Sequence, residues 1–149
     1  MIRACPSCGR KNRVPAAHLA DDGVCGGCRK TLPAVAEPLD VDSALFEEIF
    51  HGVSVPVLVD FWAPWCGPCR DAEVHVAHVA RHMTRRALVV RVNTEQNGIL
   101  AARFGVRGVP RFVVLRAGRV LFEHTGLVDA NTMMRWLHDA WASHATLHL

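Results

Sequence analysis

All six cysteines of this 149-residue chain fall in Cys-x-x-Cys pairs: Cys5/Cys8, Cys25/Cys28 and Cys66/Cys69. Two thiols at that spacing can close a disulfide on each other or bind one metal ion together. Their surroundings decide between the two chemistries. Cys66-Gly67-Pro68-Cys69 follows the apolar run Val55–Trp62, broken only by Asp60, and opens a stretch with helical periodicity. A cysteine at a helix N-terminus meets unpaired backbone N–H groups and the positive end of the helix dipole, both of which favour the thiolate. Pro68 fits the first turn, where its missing N–H costs little. The arrangement suits thiol–disulfide exchange.

Asp60 is out of place in a strand buried on both faces, because a buried carboxylate is unfavourable unless it is bonded or used. One reading is a carboxylate satisfied by hydrogen bonds. The reading preferred here places it behind the cysteines with a raised pKa, relaying a proton to or from Cys69.

The other two pairs, Cys5-Pro-Ser-Cys8 and Cys25-Gly-Gly-Cys28, are separated by sixteen residues. Two such knuckles make a closed tetrahedral four-cysteine site of the zinc-ribbon type. One Zn²⁺ held by Cys5, Cys8, Cys25 and Cys28 would supply folding energy to a segment with little apolar periodicity. A structural ion is the leading reading. A redox-responsive zinc site, a rubredoxin-like iron and two disulfides are the alternatives, in that order. Arg3, Arg10, Lys11, Arg13, Arg29 and Lys30 make the segment basic, but no aromatic residue is interleaved to stack on bases, which argues against nucleic acid.

Composition bounds what positions these groups. Half of the residues are hydrophobic and the net charge is +3, enough for one core with a small appendage. No apolar stretch is long enough to span a membrane, and Met1-Ile2-Arg3-Ala4 opens no secretory h-region. The expected address is therefore the cytoplasm. The expected organisation is a four-cysteine zinc ribbon over residues 1–32, a linker over 33–39 and an α/β domain over 40–149.

Asp42 or Ser43 caps a short helix through Phe50, and the strand Val55–Trp62 leads to a helix from Cys66 to Met83. Leu88–Val92 is a second buried strand, and Asn97–Phe104 a short helix ended by Gly105. Arg111–Arg116 and Arg119–His124 form a hairpin through Ala117-Gly118. Asp129 or Asn131 caps a last helix with Met133, Trp136, Leu137 and Trp141 inward. This order predicts a central mixed sheet flanked by helices. His75, His78 and His82 share one helical side, read as a solvated face, and His144 and His148 fall in a terminal tail. No glycine-rich dinucleotide fingerprint is present, so no tightly bound organic cofactor is expected.

From about residue 40 to 145 the chain resembles the thioredoxin family. The resemblance rests on Asp60-Phe61-Trp62-Ala63-Pro64-Trp65-Cys66-Gly67-Pro68-Cys69, Val92-Asn93-Thr94-Glu95, Phe104-Gly105-Val106-Arg107-Gly108-Val109-Pro110, Gly118 and Gly126. With the N-terminal pairs included, the whole chain resembles the zinc-containing thioredoxin 2 branch of that family. The resemblance implies a thioredoxin fold and a protein-disulfide reductase. It implies that Cys66 attacks a client disulfide, that Cys69 resolves the mixed disulfide, and that Asp60 is the buried acid with Arg91 as its charge partner. Pro110 matches the family's cis-proline beside the cysteines. Trp62, Trp65, Gly67, Pro68, Gly108, Val109, Arg111 and Gly126 would frame the client site.

The implied partners are disulfide-containing clients and thioredoxin reductase, which would draw on NADPH. A monomer is the default state. Two positions depart from the pattern. Val74 replaces a helix-kinking proline. Arg111 replaces a threonine and would either favour the thiolate beside it or point into solvent. The alternative function is a zinc-linked oxidative sensor or partner-recruiting module on a thioredoxin scaffold.

Overall fold

The computed structural model describes residues 1–147, with side chains to residue 143. Near the N-terminus, β1 (Ile2–Ala4) pairs antiparallel with β2 (Lys11–Arg13), and β3 (Gly23–Val24) with β4 (Thr31–Leu32). Each ladder ends in a cysteine knuckle with the same backbone bonding. Cys5 N–H donates to Arg10 O (2.8 Å) and Gly9 N–H to Cys5 O (2.9 Å); Cys25 N–H donates to Lys30 O (2.9 Å) and Arg29 N–H to Cys25 O (3.1 Å). Gly9 sits at φ +78°, and Arg29 occupies the equivalent position at φ +67°, where glycine is the residue without a Cβ penalty.

A five-stranded mixed sheet forms the rest of the scaffold. Its strands are β5 (Leu39–Asp40), β6 (Val57–Trp62), β7 (Leu88–Asn93), β8 (Arg111–Arg116) and β9 (Arg119–Thr125), in the order β5-β7-β6-β8-β9. β6 runs parallel to β7 and antiparallel to β8, which makes it central and accounts for its apolar run. The strand starts at Val57 rather than Val55, after Pro56, which has no N–H for the ladder.

Alternation along β6 divides the core. Val57, Val59 and Phe61 pack with α1 (Ser43–Gly52), with Val90 and Val92 of β7, and with Leu100 of α3 (Gly98–Arg103). Leu58 packs on the other face with α2 (Gly67–His82) and α4 (Ala130–Leu147), through Val76, Val79, Met133 and Leu137. By that alternation Asp60 points to the face covered by α2, the helix that carries Cys69. α2 is continuous through Val74, whose side chain is exposed.

The N-terminal segment is not an appendage. Leu19, Ala20 and Val35 are buried in the α1-side core, and Asp22 accepts from Arg85 Nε (2.8 Å) and Ala34 N–H (2.9 Å). The stretch read as a linker therefore contributes buried Ala34, Val35 and Leu39, and Leu39 already belongs to the sheet.

Trp141 does not point inward as its periodicity predicts. It lies on the surface side of Arg116, whose guanidinium carbon is 3.9 Å from the ring centroid, and donates from Nε1 to Arg86 O (2.9 Å). Buried Arg116 is held there by carbonyls of Ser54, Ala140 and Trp141 at 3.3–3.4 Å. A caged cation, not an apolar pocket, receives the indole.

Between β8 and β9, Ala117 (φ +53°) and Gly118 (φ +73°) both adopt the left-handed conformation that a two-residue hairpin turn demands. Ala117 carries a Cβ penalty that glycine would remove. Ala117→Gly is expected to raise stability by about 0.5–1 kcal/mol, the left-handed penalty exceeding glycine's extra chain entropy. Urea unfolding of the two proteins measures it, and a destabilised variant would contradict the strain.

Candidate active site and metal centre

β6 delivers the chain to a turn in which Cys66 N–H donates to Ala63 O (3.2 Å). Cys66 is the N-cap of α2, and its Sγ accepts from Cys69 N–H at 3.1 Å. The same bond, offered to a thiolate, is charge-assisted and stabilises the anion. Cys66 and Cys69 form a disulfide with Cα atoms 5.3 Å apart. Both are buried among Ala63, Trp62 and Val109. The approach lies over Gly67, where an added Cβ would meet nothing within 4 Å, and beside Trp65, which is 69% exposed.

The Val109–Pro110 peptide is cis. Pro110 O accepts from Gly126 N–H (2.8 Å), and Gly126 sits at φ +111°, a conformation that favours glycine. Beside it, a Cβ on Gly108 would lie 3.5 Å from the Thr125 methyl. The structure thus gathers Trp62, Cys66, Cys69 and Val109 into one cluster, with Trp65, Gly67 and Pro68 on the turn and first helical turn. Gly108, Pro110 and Gly126 are joined through the neighbouring strand ends.

Arg111 corrects both expectations for it. Its guanidinium turns across the hairpin to Glu123 Oε2 (2.7 Å) and Thr125 Oγ1 (2.8 Å), so its charge is paired rather than offered to the sulfurs or left in solvent. The hairpin register places Thr125 opposite Arg111 only after a one-residue shift between Val114 and Leu115. The two-residue turn alone would have put His124 there, so this pairing had no signal in the sequence.

Asp60 is fully buried and sits opposite Arg91 in the β6–β7 register. Arg91 Nε donates to Oδ2 at 3.3 Å, while Oδ1 has no partner among the described residues. Burial pushes the carboxyl up to about 6, against the opposing pull of Arg91. Arg91 is also stacked over the Trp62 ring at 4.6 Å and lies 3.7 Å from Glu73, a neighbour with no signal in the sequence.

At the N-terminal centre, the Sγ atoms of Cys5, Cys8, Cys25 and Cys28 all lie within 4.8 Å of one another, and none is in a disulfide. Cys5–Cys28 and Cys8–Cys25 are each 3.6 Å apart. A tetrahedron with Zn–S of about 2.3 Å has edges of about 3.8 Å, so the donor set and its spacing fit zinc. N–H groups point at the sulfurs: Ser7 to Cys5 (3.4 Å) and Gly27 to Cys25 (3.3 Å). Backbone N–H donors, those of Cys28 and Gly27 first, bring Cys25 down to about 6, and those of Cys8 and Ser7 lower Cys5. Asn12 ties the knuckles together, donating to Cys25 Sγ (3.6 Å) and accepting from Gly26 N–H (3.0 Å). Its type and spacing did not single it out.

The histidines form no comparable cluster among the described residues. His75 Nδ1 accepts from Ala130 N–H at 3.2 Å, and the His78 and His82 rings stack at 3.8 Å. The His144 side chain and His148 lie outside the described residues.

Comparison with known proteins agrees with this geometry. Residues 37–139 match the family model described as Thioredoxin, and residues 4–30 match the zinc-ribbon model described as Thioredoxin 2, N-terminal. Thioredoxin C-3 of Corynebacterium nephridii is 35% identical over 137 residues, covering 92% of this chain and 93% of that protein. Thioredoxin 1 of Synechococcus elongatus is 37% identical over 97 residues, 65% of this chain and 91% of the relative. Among solved structures, a thioredoxin variant from Halobacterium salinarum superposes with a TM-score of 0.65 at 32% identity, covering 70% of this chain and 90% of that one. Chloroplastic thioredoxin z gives 0.66 at 26% identity, covering 72% and 97%.

Proposed function

Because the chain belongs to the thioredoxin family, and so is a protein-disulfide oxidoreductase, we propose that it works as a reductase through the Cys66/Cys69 dithiol. The observation that carries this reading is the placement of both sulfurs at the start of α2, beside Val109 and the cis peptide.

In the reduced state Cys66 thiolate, favoured by the Cys69 N–H and the helix terminus, attacks a client disulfide. A mixed S–S bond forms and one client thiolate leaves. Cys69 then attacks the Cys66 sulfur, closing Cys66–Cys69 and releasing the second client thiolate. Two electrons pass to the client. Asp60 takes the Cys69 proton, with Arg91 holding the carboxylate from one side. The strand end at Gly108–Val109 supplies backbone groups to an extended client, with Trp65 and Gly126 at its margins. Thioredoxin reductase with NADPH restores the dithiol. Cys5, Cys8, Cys25 and Cys28 would hold one zinc ion, which when bound cross-links the two knuckles. No helix among the described residues is long and apolar enough to cross a membrane. On this reading the protein is a monomer working in the cytoplasm.

Reduction of insulin disulfides, coupled to NADPH oxidation through thioredoxin reductase, tests it. The full chain is expected to turn over and Cys66→Ser to be inactive. A folded, zinc-loaded wild type without activity would overturn the reading.

A further inference from the structure

The four ribbon sulfurs are not equivalent. Cys5 and Cys25 are buried, at 3% and 0% exposed, Cys28 is half-buried, and Cys8 is exposed. Cys5 receives the Ser7 N–H, while Cys25 receives Gly27 N–H and Asn12 Nδ2. Cys28 is shielded by its half-burial and contacts Cys5 Sγ at 3.6 Å. Cys8 Sγ has no such donor among the described residues; its contact is Cys25 Sγ, at 3.6 Å. With all four sulfurs held as thiolate ligands, a donated N–H no longer raises the thiolate fraction, as it does at Cys66. Instead it draws charge from the sulfur and occupies a lone pair. Burial also blocks approach, so attack is selective for the accessible, unbonded sulfur.

We propose that Cys8 is the modification site of the four-cysteine centre, the sulfur that reacts first with electrophiles and peroxides, and that its oxidation closes a disulfide across the knuckles to Cys25. The inference rests on reading the four cysteines as thiolate ligands. Cys8 thiolate attacks one oxygen of hydrogen peroxide; the S–O bond forms, the O–O bond breaks, and hydroxide leaves. Cys25 thiolate then attacks the Cys8 sulfur. The S–S bond forms, the S–O bond breaks, and a second hydroxide leaves. Two thiolates lose two electrons, and peroxide with two protons from solvent becomes two waters. A metal held by the four sulfurs would lose two of its ligands in that one event. The geometry favours this pairing over closure within a Cys-x-x-Cys knuckle, because the sulfur pairs in contact run Cys8–Cys25 and Cys5–Cys28.

The test uses the full chain with Cys66–Cys69 oxidised and its zinc content measured first. Brief treatment with substoichiometric iodoacetamide, followed by peptide fragmentation, is expected to find Cys8 alkylated at least about tenfold faster than Cys5, Cys25 or Cys28. Peroxide treatment, with remaining thiols blocked, is expected to give a Cys8–Cys25 disulfide as the first cross-linked product. Cys8→Ser should slow peroxide-induced zinc release by a similar factor; the wild-type map decides the matter if that variant does not fold. Equal labelling of the four, or Cys5–Cys8 and Cys25–Cys28 as first products, would overturn the proposal with the metal reading intact. A folded chain that takes up no zinc would overturn the metal reading, and the proposal with it.

Discussion

Cys69→Ser is expected to stop the reaction halfway, with the client held on Cys66 as a stable mixed disulfide. Cys69 lies one helical turn from Cys66, with Cα atoms 5.3 Å apart, and its backbone N–H already meets the Cys66 sulfur. An intramolecular nucleophile so placed acts at an effective concentration on the order of 10⁵ M or more, which no external thiol approaches. A serine hydroxyl cannot substitute, being a far weaker nucleophile toward sulfur at neutral pH. Turnover should fall by a factor on the order of 10³ or more. Non-reducing electrophoresis should show a covalent adduct, and peptide mapping should locate it at Cys66. Cys66→Ser, by contrast, should give neither turnover nor adduct. Substantial turnover by Cys69→Ser, or an adduct located at a ribbon cysteine, would contradict the assigned roles.

The second large effect is on stability. Asp60 holds its proton in the folded chain up to about pH 6, whereas its ordinary value is 3.8. Below the ordinary value both states are protonated, and the buried carboxyl carries no ionisation penalty. As pH rises from 3.8 toward about 6, the unfolded chain ionises while the folded chain keeps its proton, so stability is lost across that window. The loss is complete once the folded carboxyl ionises too. Asn is a neutral isostere without that penalty. Asp60→Asn is therefore expected to match the wild type near pH 4 and to exceed it by about 2–3 kcal/mol above pH 7, at 1.36 kcal/mol per pH unit of displacement. Arg91 faces an uncharged partner in the variant, as it does in the protonated wild type, so its loss of pairing is common to both. Denaturant unfolding at the two pH values measures the difference. A variant destabilised at neutral pH would show that the Asp60–Arg91 pair outweighs burial.

The elements that position the redox pair were legible because their causes are local. A continuous apolar run such as Val57–Phe61 has to be a central strand, and Pro68 and the Cys66 cap announce the start of a helix. Asp60 was conspicuous for the same reason, as the one charge in that run. The position of Pro110 beside the cysteines came from resemblance alone, since no local pattern along residues 98–111 points to it.

What escaped is tertiary. Leu19 and Val35 were assigned to a ribbon and a connector because their neighbours are Cys, Gly, Pro and charged residues. They enter the main core because the segment folds back against α1 and the sheet. Trp141 has the period of a core residue but faces a caged arginine. Arg111 was weighed against the sulfurs and the solvent, while its actual partners lie across the hairpin. Arg29 and Ala117 occupy conformations that composition assigns to glycine, and only the backbone reveals them. Asn12 is a polar residue in a short strand until Cys25 and Gly26 are seen beside it.

The most direct test of the central claim is a single turnover with no reductase present. The fully reduced, zinc-loaded chain is mixed with excess insulin, quenched with acid, and its cysteines are mapped. One insulin disulfide should be reduced per chain, with Cys66–Cys69 recovered as the disulfide and all four ribbon cysteines still thiols. Unreduced insulin, or oxidation appearing at Cys5, Cys8, Cys25 or Cys28 in place of Cys66 and Cys69, would contradict it.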